Sequence, residues 1–295
     1  MKKVIYILSL AVFMVFVSCN DHLDLQPESG ITPENYFKEE SHLQAYINQL
    51  YPSILPSHAA WSLGLYQDQG TDMMIGKFPP AKYLKDQYLT QTDGGWSFGN
   101  ITACNWFFDQ VLPKWEAGQI AGDLNNINYY IGEMYFLRAW EYFKCYSSIG
   151  DYPIITEYLP SDPSILIANS KRQPRNEVAR FILSDIDKAI ELMGNTVISK
   201  KRTRINKLAV LLAKSRVALF EGTWLKYFKD TPFVPNGPDW PGKEKEYNAN
   251  YQYPSGSIDE EINFFLDIAI ESSKMVAESI TLTPNTGTVQ QSESE

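Results

Sequence analysis

Residues 205–228 are apolar almost all the way round a helix, and that stretch limits the fold more than any other. Within it Lys207, Lys214 and Glu221 recur every seven residues and form one thin polar stripe. A helix with so little polar surface has to lie between neighbours, so the chain is read as a multi-helix body. Neighbours of the right kind are present. Val178, Phe181, Ile182, Ala189, Ile190 and Met193 fall on one helical face. A last helix opens on Ser257-Ile258-Asp259-Glu260, a capping box with acids in the first turn. Ile262, Phe265, Leu266, Ala269, Ser273 and Val276 mark its buried side. Earlier helices are expected from Thr32-Pro33 to just before Pro52, from near Phe98 to Trp115, and from Leu124 to Ser148. The Gly150-Asp151-Tyr152-Pro153 turn closes the last of these. No alternating run is strong enough for a large sheet. The fold class is therefore mainly α, built of helix–loop–helix pairs.

Between the helices lie long irregular segments. Periodicity fades from Pro52 to Gly95, a stretch holding Trp61, Tyr66, Phe78, Tyr83 and Tyr88, and again over 229–256, with Trp240, Tyr247, Tyr251 and Tyr253. Aromatics make up 14% of the 295 residues, enough both to fill helix interfaces and to line a surface. Segments of this length without periodicity are too long to be idle connections.

The N-terminus sets the compartment. Met1-Lys2-Lys3 leads into an apolar run, Val4 to Val17, and then Ser18-Cys19. A basic start and a short apolar run form a secretory signal. The run is shorter than the roughly 20 residues that span a bilayer. Phe16-Val17-Ser18-Cys19 looks like a bacterial lipobox, in which Cys19 becomes the first mature residue and carries acyl chains. Several acyl chains, at about 0.8 kcal/mol per CH2, hold a protein on a membrane firmly. The expected division is a signal peptide at 1–18, a lipid-anchored tether at 19–31 and a helical domain at 32–295. Cys104 and Cys145 both lie in helical patterns among large apolar residues, which fits two free thiols better than a disulfide.

Much chemistry is missing. The formal net charge of −9 argues against a nucleic-acid partner, whose recognition needs clustered Lys and Arg. The three histidines, His22, His42 and His58, all precede residue 60, so none lies downstream to serve a nucleophile. There is no P-loop, dinucleotide fingerprint or zinc motif, and no cofactor is implied. Asp68 and Asp72 are spaced to share a helical face, and paired carboxylates serve glycoside hydrolysis. Surface acids at that spacing are also common in an acidic chain.

Four segments in order resemble the SusD/RagB family of outer-membrane nutrient-binding lipoproteins. They are the lipoprotein start with Leu23-Asp24-Leu25-Gln26-Pro27 and then Ile47-Asn48-Gln49-Leu50-Tyr51; Trp96-Ser-Phe-Gly-Asn100-Ile101 leading to Asn105; Leu137-Arg138-Ala139 with Tyr142-Phe143, running into the Gly150 turn; and Arg180–Ala189 followed by Ala213–Trp224. The resemblance implies tetratricopeptide-like helix pairs with an irregular ligand-binding region. It implies a lipid-anchored, surface-exposed, non-catalytic protein that binds glycan, or peptide in some members, over a TonB-dependent (SusC-like) transporter. By position it implies Trp96 as a sugar-stacking platform and Asn100 as a hydroxyl partner, with Asp72, Trp61 and Tyr66 as weaker candidates. Arg138 is expected in a structural ion pair with Glu141 or a loop carboxylate. The family pattern also implies further residues C-terminal to this portion, so the last helices are expected to expose an apolar face. Two other readings remain: a protein-interaction scaffold without a small ligand, and a glycosidase using Asp68 and Asp72.

Overall fold

The computed structural model describes residues 36–56, 96–198 and 203–281. Among these, seven α-helices dominate: α1 (Glu40–Ile54), α2 (Gly99–Glu116), α3 (Leu124–Ile149), α4 (Pro163–Asn169), α5 (Arg175–Met193), α6 (Lys207–Tyr227) and α7 (Ile258–Glu278). A two-stranded antiparallel ribbon, β1 (Tyr152–Pro153) and β2 (Arg172–Gln173), pairs Tyr152 with Gln173 and Pro153 with Arg172. α3 lies against α1, α2 and α5; α5 continues to α6; and α6 pairs with α7. This succession of antiparallel neighbours is the tetratricopeptide-like arrangement expected from the sequence. One continuous core runs through it, from Phe37, Leu43 and Phe107 through Ile131 and Leu137 to Ile182, Val217 and Phe265.

Local chemistry sets the ends. The Asp123 carboxylate accepts from the amides of Asn125 and Asn126 at the start of α3. Asn206 and Ser257 cap α6 and α7 in the same way. α3 stops where Gly150 takes a φ of 85°, a conformation most side chains resist. Gly132 lets α3 meet α5 closely, since a Cβ there would stand 3.0 Å from the carbonyl oxygen of Ala189.

Three expectations need correcting. The expected start at Thr32-Pro33 lies outside the described residues, but no helix runs unbroken through Phe37: that residue has a φ of 55° and buries its ring against Tyr36, Tyr46, Trp106 and Phe107, and α1 begins at Glu40. α1 also continues through Pro52, which costs one backbone hydrogen bond, and its last residue, Ile54, is buried. α6 is not enclosed on all sides. Its polar stripe turns inward instead: Glu221 is fully buried against Arg175, and Lys214 reaches Asp187 of α5. Leu208, Leu212 and Leu219, within roughly 40° of one another on the helix, are among the residues left exposed. The apolar face expected on the last helices is therefore present.

Ion pairs bridge the helices. Arg138 of α3 grips Asp185 of α5 through Nε at 2.7 Å and Nη2 at 2.8 Å, so its partner is not Glu141, which pairs with Lys144. Arg175 joins α5 to Glu221 of α6, and Arg204 reaches Glu133 of α3. Cys104 and Cys145 are free thiols, and burial pushes Cys104 up to about 12.

Glu261 of α7 has a pH signature. Burial pushes its carboxyl up, but hydrogen bonds from Arg180, Asn176 and the Ser255 amide outweigh burial and hold it below its usual 4.5. A carboxyl lowered in the folded state contributes stability that is present above the unfolded value. That stability is lost as pH falls through the folded value. Glu261→Gln is expected to cost about 2 kcal/mol near neutral pH and to flatten the acid limb of the stability curve. Urea midpoints between about pH 3 and pH 7 test this; an acid limb as steep as the parent's would remove Glu261 from that role.

Candidate functional site: an aromatic platform beside a cavity

The site is built upward from the turn after α3. Asp151 accepts from the Arg175 amide and from Trp240 Nε1, each at 2.9 Å, which ties the turn to α5 and to the 229–256 loop. Burial pushes its carboxyl up, opposed by those donors and by nearby arginines. Tyr152 follows and is fully buried on β1. The next residues are fixed from beneath: Asn105 Nδ2 donates to the carbonyls of Ile155 (2.8 Å) and Glu157 (3.2 Å). Tyr142 exchanges two hydrogen bonds with Ile155. Arg138 Nη1 in turn donates to Asn105 Oδ1 at 2.9 Å. A buried network thus holds Tyr152 in place.

Trp96 lies on Tyr152. The two ring centres are 5.0 Å apart and the planes 23° from parallel, with Phe98 stacked behind at 6.5 Å. Trp96 remains 38% exposed, and the Arg172 guanidinium carbon stands 5.2 Å from its ring centre. Asn100 occupies the first turn of α2 and sends its amide to the Ser53 carbonyl of α1 at 3.4 Å. Both residues sit at the entry to α2, but no hydrogen bond joins them among the described residues. Cys19, Trp61, Tyr66, Asp68 and Asp72 lie outside the described residues.

The sequence reading missed a cavity of about 600 Å³ next to the platform, where the end of α3, β2, α6 and the 229–256 loop meet. Arg172 lines it as well as approaching Trp96, so the two features share one cation. The loop residues sort themselves around it. Trp240 is buried, while Phe233 and Tyr247 are exposed at its walls. Tyr251 turns away and donates to Asn176 Oδ1 at 2.8 Å. The aromatic density of 229–256 was the only sequence signal. Among the described residues, no group of three His, Cys, Asp or Glu side chains is placed to hold a metal ion. None of the described helices is long and apolar enough to cross a membrane.

These features define a mainly α protein of tetratricopeptide-like helix pairs whose loops gather at an aromatic surface. A family profile described as starch-binding associating with outer membrane matches residues 21–219, and the chain belongs to that SusD-like (SusD/RagB) family. Among curated relatives, a SusD-like protein of Formosa agariphila is 28% identical over 239 residues, covering 77% of this chain and 45% of the relative. Another from the same organism is 25% identical over 220 residues, covering 70% and 40%. A solved SusD-like protein from Bacteroides fragilis superposes with a TM-score of 0.45 at 21% identity, covering 69% of this chain and 39% of that one. The chain thus spans under half the length of these relatives.

Proposed function

We propose that this chain is a non-catalytic, cell-surface lipoprotein that binds glycan at Trp96 and passes it to a TonB-dependent outer-membrane transporter. Cys19 carries the lipid anchor that holds it on the outer membrane. The observation that carries the reading is the half-open Trp96 ring, fixed on buried Tyr152 at the entry to α2. A pyranose presents an apolar face to such a ring and a rim of hydroxyls that need partners. Asn100 supplies one partner, and its Oδ1 accepts no hydrogen bond from the described residues. Asp72, Trp61 and Tyr66 are proposed as further contacts.

Trp96→Ala is expected to weaken binding of a recognised oligosaccharide at least about tenfold, or ~1.4 kcal/mol, with the helical circular dichroism unchanged. Titration calorimetry on the parent and the variant reads this directly. Parent-like affinity in the variant would remove Trp96 from the site. A second reading, a protein-interaction scaffold, is favoured by the exposed Leu208, Leu212 and Leu219 stripe. It predicts transporter co-purification that survives Trp96→Ala and fails in Leu212→Glu with Leu219→Glu.

A further inference from the structure

The charge around the cavity is unevenly spent. Its carboxylate, Asp151, uses one oxygen on the Arg175 amide and the other on Trp240 Nε1. Arg175 is consumed by Glu221 and Tyr146. Two cations are left over. Arg172 spends only Nε, on the Asp151 carbonyl at 2.9 Å, and its two terminal nitrogens have no acceptor among the described residues. Lys245 lines the cavity with no carboxylate paired to it among the described residues. At the rim, the Lys171 ammonium stands 5.9 Å from the ring centre of Tyr247.

The walls between these cations are aromatic: Phe233 is 60% exposed and Tyr247 42%. The volume of about 600 Å³ falls within the range of roughly 300–1,000 Å³ that ligand pockets occupy. Ring faces flanked by an open guanidinium fork suit a sugar bearing a planar or tetrahedral oxyanion, which the fork can hold bidentately. The chain's net negative charge does not prevent this. Its field is screened beyond a Debye length of about 8 Å at physiological salt, whereas Arg172 and Lys245 act at contact.

We infer that this cavity receives an acidic sugar unit, so that the glycan running from Trp96 past Arg172 carries carboxylate or sulfate groups. The inference rests on the glycan reading above and narrows it. Native electrophoresis of the full chain through gels cast with polygalacturonate, carrageenan, starch, laminarin or xylan tests both. Retardation is expected in polygalacturonate, if the group read is carboxylate, or in carrageenan, if it is sulfate. It should fall about tenfold in Arg172→Gln and in Lys245→Gln, and also in Trp96→Ala. Retardation by neutral glycans alone, unchanged in Arg172→Gln, would overturn the acidic-sugar inference and leave the glycan reading standing. Retardation by polyanions that survives Trp96→Ala and disappears with salt is ion exchange and would also overturn it. Retardation by none of the five counts against both.

Discussion

Arg175→Met is expected to destabilise the protein by about 3–5 kcal/mol, the cost of leaving one buried charge without its partner. Arg175 is itself buried and binds Glu221 through Nε and Nη2, at 3.0 and 2.9 Å to Oε2. It also donates to the Tyr146 hydroxyl and lies 4.1 Å from the ring centre of Trp224. Removing it strands Glu221, which is fully buried and keeps, among the described residues, only the Tyr146 hydroxyl as a donor. Set against a typical total of about 5–15 kcal/mol, the loss takes about a fifth of the stability or more. The urea midpoint should fall with the slope unchanged, because the surface exposed on unfolding is the same. Combining Arg175→Met and Glu221→Leu with Tyr146→Phe should recover most of the loss, since apolar groups of similar volume remove both the stranded charge and the hydroxyl left without partners. A single variant within about 1 kcal/mol of the parent would mean that this pair does not couple α5 to α6.

That pair also explains where the sequence was legible. α5 and α7 were readable because each carries one apolar face and a polar remainder, so helical periodicity names the buried side. α6 has no such contrast. Its composition said that it is packed, but not which side faces in. The answer depends on Arg175, 46 residues earlier, which draws Glu221 inward and leaves leucines at the surface. The Arg138 partner was misplaced for the same reason: Asp185 is far along the chain, and one-dimensional spacing favoured the neighbouring Glu141. Trp96 was singled out through its resemblance to a family motif. Its support, Tyr152, sits in a turn that the sequence marked only as a helix end. Arg172 carried no signal at all. It is one basic residue in an acidic chain, and it matters only because the β1–β2 ribbon places it between a Trp ring and a cavity.

The Arg138 network ties stability to the platform, so the second large expected effect is that of Asp185→Ala. Asp185 takes two of the Arg138 nitrogens, at 2.7 and 2.8 Å, in the space between α3 and α5. Without it the guanidinium stays buried with Asn105 as its remaining hydrogen-bond acceptor and three aromatic rings around it, those of Phe108, Tyr135 and Phe181. Rings attract a cation by about 0.5–2 kcal/mol, too little to replace a bidentate carboxylate. The expected loss is again about 3–5 kcal/mol, read from the thermal or urea midpoint. This variant should differ from Arg175→Met in what it does to the site. An Arg138 side chain freed to move pulls on Asn105, which holds the Ile155 and Glu157 carbonyls just beyond Tyr152. Asn105→Ala isolates that step: it keeps the Arg138–Asp185 pair and releases only the loop, at about 1–3 kcal/mol. If the network positions the platform, Asn105→Ala weakens oligosaccharide binding while most of the stability remains. Parent-like binding in Asn105→Ala, measured well below its melting point, would show that Trp96 stays seated on Tyr152 without help from the helices beneath.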